Sequence, residues 1–199
     1  MMDKIGVAIL IGGKSIRMGQ RKDQLKESGS DVTFLLRKLK EFQIFDYRFV
    51  SANKEEKDVE PLCKEYGYSF VIDESDVTEI GPMGAIVSVL RAARKVGCTA
   101  VAIVAVDMPF FDRECVLKLI ENFDGEDIVL SRSEGGREPL ASVYCCSALE
   151  YFENCVKKSD YRLNSAIKEA NCKEILWNNN HFFINVNTPE EYDAILKNP

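Results

Sequence analysis

The stretch KIGVAILIGGKSIRMGQRKDQL, residues 4–25, decides the fold of this 199-residue chain. Residues 4–11 are apolar almost throughout, which is typical of a parallel strand covered on both faces. Two glycines follow, and glycine lets the backbone approach a ligand closely. Four cations come next, Lys14, Arg17, Arg21 and Lys22. Because Lys and Arg bind phosphate groups, the stretch predicts a first strand that leads into a triphosphate-binding loop. The alternative is a plain glycine turn with solvated cations.

The composition excludes several classes of protein. The formal net charge is −6, whereas a nucleic-acid or membrane-surface binder needs a basic face. No apolar run approaches the length of a membrane span, and we see no export signal at the N-terminus, so we expect a cytoplasmic protein. The seven cysteines contain no C-x-x-C pair, and we expect them to be reduced thiols.

Predicted strands and helices alternate along the rest of the chain. The further strands are predicted at 48–53, 68–72, 99–106, 126–131, 140–145, 173–177 and 182–185. Helices are predicted at 32–43, 55–66, 113–123, 147–157, 162–170 and 189–197, and one more is opened by Gly81-Pro82 and ended by Gly97. This alternation indicates a single α/β domain, 1–199, with an open, mostly parallel sheet and helices on both faces. We expect residues 1–110 to bind the nucleotide and 111–199 to bind a second substrate.

In open α/β sheets, ligands bind at the carboxyl ends of the strands. That rule places four loops at one edge, namely 12–22, 73–81, 107–111 and 132–139. Asp107 directly follows the most apolar strand and is well placed for Mg²⁺, which takes one or two carboxylates and completes its shell with phosphate and water. Asp73 ends another strand and could accept hydrogen bonds from a ribose or a base. A turn-forming role is the alternative for both aspartates.

Two later segments are candidates for a second substrate. RSEGGREPL, residues 132–140, reads as a glycine-rich loop whose arginines could hold an anion, with a solvated hairpin-like loop as the alternative. In FINVNTPEEY, residues 183–192, Asn185 could face a ligand, whereas Asn187 precedes a predicted capping box and could simply order that turn.

Taken together, these loops resemble a known family. IGGKSIRMGQRKDQL is similar to the nucleotide signature of the small nucleotidyltransferases, and the closest resemblance within that group is to the molybdenum cofactor guanylyltransferases. VIDESDVTEIGPMGAI, VDMPFF, REPLASVY and FINVNTPEEY resemble further segments of that family, in the same order along the chain.

The resemblance implies a Rossmann-like fold and transfer of GMP from GTP to molybdenum-molybdopterin, with release of pyrophosphate and with Mg²⁺ as cofactor. It implies that Lys22, Arg17 and Asp107 are catalytic and that Asp107 also holds the metal. The implied nucleotide-binding residues are Leu10, Ile11, Gly12, Gly13, Lys22, Asp73 and Asp107. Arg137, Pro139 and Asn185 would lie on the pterin side. A molybdenum-inserting protein or an acceptor molybdoenzyme is an implied partner.

The sequence departs from the family pattern at three places. Arg21 replaces the aspartate that usually precedes the lysine, Ala85 stands where glycine is frequent, and Cys145 and Cys146 make the pterin-side segment unusual. Two alternatives therefore stay open. One is a cytidylyltransferase for molybdopterin, or an enzyme for another phosphorylated substrate. The other is a non-catalytic nucleotide-binding regulator.

Overall fold

The computed structural model describes residues 4–12, 18–19, 21–27 and 29–197. The described strands are β1 Ile5–Leu10, β2 Arg48–Ala52, β3 Ser69–Ile72, β4 Ala100–Ala105, β5 Ile128–Ser133, β6 Gly136–Cys145 and β7 Cys172–Leu176. The α-helices are α1 Phe34–Glu41, α2 Val59–Glu65, α3 Pro82–Lys95, α4 Arg113–Glu121, α5 Leu149–Lys157, α6 Leu163–Glu169 and α7 Pro189–Lys197. Short 3-10 turns include Lys22–Gln24 and Asn180–Phe183.

The strands of the described residues form one sheet in the order β3-β2-β1-β4-β6-β5-β7. Only β6 runs antiparallel to its neighbours β4 and β5, and the remaining pairs are parallel. The prediction of a mostly parallel α/β sheet is therefore confirmed. Strand β1 lies between β2 and β4, and its six residues are all buried, as its continuous apolar run predicts.

Helices cover both faces of the sheet, each over its own apolar cluster. Side chains of α1, α2 and α4 pack on one face, together with Trp177 and Phe183. Side chains of α3, α5 and α6 pack on the other face, around Tyr144 and Phe152. The cores alternate with the pleat, since Val7 and Ile9 of β1 point to the first cluster and Ala8 and Leu10 to the second.

Local sequence signals explain where several helices begin. Thr33 accepts a hydrogen bond from the Leu36 backbone N–H at the start of α1, and Asp112 accepts one from the Cys115 backbone N–H at the start of α4. Gly81 precedes α3 with a φ of 74°, a conformation that favours glycine, and Pro82 occupies the first helical turn. No helix in the described part of the chain is both long enough and apolar enough to span a bilayer.

One predicted element is wrong, and for another the alternative is observed. Residues 182–185 were predicted as a strand because they are apolar, but Asn180–Phe183 form a 3-10 turn whose first residues are held by the Asn179 side chain. Residues 132–139 are predicted as a glycine-rich loop, with a hairpin-like loop as the alternative, and they form the tip of the β5–β6 hairpin, in which Ser133 pairs with Gly136, so the alternative is the one observed. In both segments local hydrogen bonding decided the conformation, and residue type alone did not reveal it.

Candidate functional site

A cavity of about 270 Å³ opens at the carboxyl ends of the parallel strands, as the strand-end rule predicts. One wall is formed by the residues that end β1 and β2, and α3 contributes small residues at its N-terminal end. The lining residues are Leu10, Ile11, Gly12, Lys22, Ser51, Ala52, Asn53, Asp73, Glu79, Gly81, Pro82, Ala85, Ala105, Val106, Asp107 and Leu140.

Lys22, Asp107 and Asn187 meet at one end of the cavity. The Lys22 Nζ lies 2.6 Å from Asp107 Oδ2 and donates a second hydrogen bond of 2.6 Å to Asn187 Oδ1. The Lys22 and Asp107 side chains are each 19% exposed, so the ion pair is partly shielded from water but still reachable by a ligand. The ammonium and the carboxylate therefore form a preassembled charged group beside the cavity.

The fold holds this charged group from three separate segments. Lys22 begins a 3-10 turn after the first loop, and Asp107 lies just beyond the end of β4. The Val186 N–H donates to the Asp107 carbonyl at 2.9 Å, which fixes the segment that carries Asn187. The predicted capping box is confirmed, because Glu191 Oε2 accepts from the Asn187 and Thr188 N–H groups and Thr188 Oγ1 accepts from the Glu191 N–H.

The residues that line the cavity include two with a polar atom that lacks a partner among the described residues. These atoms are Ser51 Oγ, which belongs to a fully buried side chain, and Asp73 Oδ1. Burial raises the pKa of Asp73 to about 6, and the Ser88 hydroxyl opposes that rise. Buried polar atoms normally have hydrogen-bond partners. Both atoms belong to residues that line the cavity.

Arg21, which departs from the family pattern, does not join the Lys22 group. Its guanidinium lies 2.7 Å from Asp23 Oδ2, 2.7 Å from Glu56 Oε2 and 2.8 Å from Asp58 Oδ1. These carboxylates balance its charge and tie the turn at Lys22 to the residues before α2. The substitution therefore anchors the turn, and Lys22 alone among the described residues 18–19 and 21–27 presents a cation to the cavity.

The structure brings together most of the predicted nucleotide-binding residues. Leu10, Ile11, Gly12, Lys22, Asp73 and Asp107 all line the cavity. Gly13 and Arg17 lie outside the described residues, so their predicted roles stay predictions. The neighbouring Lys14 lies outside them as well.

The residues predicted for a second substrate are arranged differently. Arg137 Nε donates to Glu174 Oε1 at 2.7 Å, the Pro139 carbonyl accepts from the Tyr144 hydroxyl at 2.7 Å, and the Asn185 amide donates to the Phe183 carbonyl at 3.2 Å. None of the three is among the residues that line the cavity. Their neighbour Leu140 does line it. A second-substrate role for the three residues stays a prediction.

Sequence reasoning missed several cavity residues, and two of them had a usable signal. Ser51 and Asn53 lie at or just after the end of β2, so the strand-end rule applied to β2 would have selected them. Asn187 was assigned only a turn-ordering role, although its side chain binds Lys22. Its contact joins residues 165 positions apart, and no local pattern encodes it.

Asp107 is chemically suited to hold a divalent metal ion. The described residues contain no cluster of three or more His, Cys, Asp or Glu side chains that could form an all-protein metal site. Mg²⁺ does not need one, because it commonly uses one or two carboxylates and takes its other ligands from phosphate and water. A single partly exposed carboxylate at the mouth of the cavity meets that requirement.

Comparison with known proteins identifies the family of this chain. The profile of the MobA-like NTP transferase domain matches residues 7–175. The chain belongs to the MobA-like NTP transferase family. A probable molybdenum cofactor guanylyltransferase of Thermococcus kodakarensis is 30% identical over 195 residues, which cover 92% of this NTP transferase and 90% of the relative.

Solved structures support the same fold for this NTP transferase. Molybdopterin-guanine dinucleotide biosynthesis protein A from Archaeoglobus fulgidus superposes with a TM-score of 0.79 at 22% identity, over 96% of this chain and 97% of that one. A Mycobacterium tuberculosis protein solved in complex with manganese has a TM-score of 0.67 at 16% identity, over 98% of this chain and all of that one, 100%. At these identities the structures establish the fold and leave the substrate to chemical argument.

Proposed function

We propose that this NTP transferase moves GMP from GTP to molybdenum-molybdopterin and releases pyrophosphate. One observation carries the proposal, namely the Lys22–Asp107 pair at the end of a cavity formed by the carboxyl ends of β1, β2 and β4. A cation for phosphate and a carboxylate for a metal ion are the two groups that nucleotidyl transfer requires side by side. The guanylyltransferase name of the relative supports the choice of substrates.

The reaction is an in-line displacement at the α-phosphorus of GTP. The terminal phosphate of the pterin forms the new P–O bond, and the bond to the bridging oxygen breaks as pyrophosphate leaves. The attacking oxygen is already anionic, so the reaction needs no general base. A divalent ion bound through Asp107 would supply charge neutralisation at the phosphates. Lys22 contributes a second positive charge, and Asn187 orients the Lys22 ammonium through its 2.6 Å hydrogen bond.

The remaining cavity residues suit the nucleoside. Asp73 offers an acceptor for ribose hydroxyl or base N–H donors, and its unpartnered Oδ1 is the atom that gains most from such a donor. Small residues at the start of α3, Gly81 and Ala85, leave the cavity open at that side. CTP, the alternative substrate, differs from GTP only in the base, and the experiment below distinguishes the two nucleotides.

The experiment has two stages. In the first, thermal unfolding is followed with GTP, CTP, ATP or UTP, each with and without Mg²⁺. A ligand at about 100 times its dissociation constant adds about 2.7 kcal/mol to the free energy of unfolding. We expect GTP with Mg²⁺ to give the largest stabilisation. A larger effect of CTP would transfer the proposal to a cytidylyltransferase, and no effect of any nucleotide would overturn it.

The second stage measures guanylyl transfer to the pterin by the unmodified protein and by Lys22→Ala. Loss of one such electrostatic contact lowers the rate by about 10²–10³-fold. Lys26→Ala is the matched control, because the exposed Lys26 ammonium lies in the same segment and pairs with Asp31 at 2.6 Å, away from the cavity. Equal rates for the two variants would contradict the role of Lys22.

A further inference from the structure

Lys38 of α1 is a fully buried lysine outside the cavity, at the far end of the loop that carries Asp107. Its side chain is 0% exposed, and its Nζ donates a 3.0 Å hydrogen bond to the backbone carbonyl of Phe111. Buried lysines are rare because desolvation of the ammonium is costly. Helix α1 could pack with an apolar side chain at this position, as it does at Leu35 and Leu39. The free-energy cost of desolvating Lys38 therefore indicates that it has a role other than packing.

The contacts around Lys38 show what it holds. Residues 107–112 form most of the connection between β4 and α4, and Lys38 contacts their downstream end at Phe111. One helical turn later, Glu41 Oε1 accepts from the Arg113 N–H at 2.8 Å. Positions three apart lie on the same face of a helix, so Lys38 and Glu41 bind the downstream end of the loop from one face of α1.

Asp107, the proposed metal-binding carboxylate, lies at the upstream end of the same loop. Asp107 is held there by the Val186 N–H on its carbonyl and by Lys22 on its carboxylate. Between the two ends, the Met108 N–H bonds to the Ala105 carbonyl and the Phe111 N–H bonds to the Met108 carbonyl. These two turns place Phe111 and Asp107 on one short hydrogen-bonded segment.

The titratable and charged groups that face Lys38 come from three segments, namely its own helix, the loop and α4. Arg37 and Glu41 lie on its own helix, Asp107 and Asp112 lie on the loop, and Cys115 lies on α4. Burial lowers the pKa of Lys38 to about 7, with Arg37 acting in the same direction and the carboxylates of Glu41, Asp107 and Asp112 opposing it. Either protonation state of the amine carries an N–H for the Phe111 carbonyl.

We propose that Lys38 is a positioning residue that fixes the 107–112 loop and thereby the Asp107 carboxylate, so that Asp107 can hold the divalent ion with the nucleotide phosphates. The inference rests on the proposed function. Groups that orient a metal-binding carboxylate from behind typically change metal affinity or activity by about 10–100-fold when they are removed.

The test compares Lys38→Met with Lys40→Met. Methionine has nearly the same length as lysine and lacks the N–H donor. Lys40 lies on the same helix but is exposed, so the same substitution there controls for the loss of one lysine. Binding of Mn²⁺ in the presence of GTP is followed by electron paramagnetic resonance, and GTP binding without metal is followed by fluorescence or calorimetry. Guanylyl transfer supplies kcat and KM.

For Lys38→Met we expect Mn²⁺ binding to weaken about tenfold and kcat to fall by at least as much. The dissociation constant of GTP without metal should stay within about twofold, because the nucleoside end of the cavity is untouched. Lys40→Met should match the unmodified protein in every measurement.

Two other outcomes are informative. If Lys38→Met changes thermal stability but leaves Mn²⁺ binding and kcat unchanged, Lys38 is only a structural residue and the inference is overturned. If the unmodified protein binds neither GTP nor Mn²⁺ with GTP, the proposed function fails first. The two failures are thus distinguishable.

Discussion

Two regions of the sheet differ in whether their polar side-chain atoms have hydrogen-bond partners. At the carboxyl ends of β2 and β3, Ser51 Oγ and Asp73 Oδ1 have no partner among the described residues. At the β5–β6 hairpin, Arg132 and Arg137 both pair with Glu174, and Ser133 donates to Glu138. The polar side chains of the hairpin pair with one another, whereas these two polar atoms beside the cavity have no such partner. The proposed nucleotide site and the hairpin therefore differ in whether their polar side-chain atoms have partners.

The strongest test of the contrast is Asp107→Asn. The amide keeps the shape but loses the negative charge that Lys22 contacts and that a metal ion requires. We expect guanylyl transfer to fall by about 10²–10³-fold with the fold intact, as followed by circular dichroism. Asp193→Asn, on the exposed face of α7, is the control and should retain full activity. A fully active Asp107→Asn protein would contradict the assignment of the metal site.

The second test uses Lys38, the fully buried lysine of α1. Its pKa is about 7 in the folded protein, below its ordinary value of 10.5, so the unfolded chain binds more protons between these values. The free energy of unfolding should therefore rise with pH above 7, by up to about 1.4 kcal/mol per pH unit. The rise should be absent in Lys38→Met.

Denaturant unfolding at intervals from pH 7 to 8.5 measures this difference. The upper limit avoids the buried Cys63 and Cys115 thiols, whose pKa values burial raises to about 12. Those thiols ionise more readily in the unfolded chain and reduce stability above about pH 9. Parallel pH profiles for the two proteins would show that Lys38 is not desolvated as described.

The third test, Asp73→Asn, is expected to change the affinity for GTP and the free energy of unfolding in opposite directions. Folding desolvates the Asp73 carboxylate, as its raised pKa of about 6 reflects, so we expect the amide variant to be more stable without ligand. Its affinity for GTP should fall about tenfold, which corresponds to about 1.4 kcal/mol.

Asp76→Asn is the matched control on the same loop. Asp76 Oδ1 and Oδ2 each accept a 2.9 Å hydrogen bond from Arg91, so this variant should lose a little stability and keep its GTP affinity. Opposite signs of the two stability changes are the expected signature. A stability loss in both variants would refute the description of Asp73 as an unsatisfied group.

The smallest effect is expected on the other side of the comparison, at Glu174. Glu174→Gln weakens both arginine pairs, yet exposed or half-exposed ion pairs contribute only about 0–1 kcal/mol each. We expect a small drop in the unfolding midpoint and no change in GTP affinity, with Glu169→Gln on α6 as control. A clear change in GTP affinity would mean that this hairpin belongs to the nucleotide site.

The main features of the fold could be predicted from the sequence because they depend on local signals. The apolar run 4–11 predicted β1, and Asp112 and Thr188 predicted the starts of α4 and α7, which the caps confirm. The strand at 182–185 failed because Asn179 holds a 3-10 turn there.

The candidate site was predictable only where strand ends carry chemistry. Asp73, Asp107 and Lys22 followed from their positions after predicted strands and the first loop. Arg21 could be recognised as a departure, but its carboxylate partners Glu56 and Asp58 are set by tertiary packing. Lys38 offered no signal at all, because a lysine within an amphipathic helix is ordinarily solvated.

The contact between Lys22 and Asn187 has a consequence for the order in which the protein is made. These side chains are 165 residues apart, and Tyr192 of α7 also bonds through its hydroxyl to the Lys26 backbone. During translation the first loop and β4 leave the ribosome long before Asn187 is synthesised. The group formed by Lys22, Asp107 and Asn187 is therefore completed only after a further 165 residues have followed Lys22, so a shorter nascent chain lacks this arrangement.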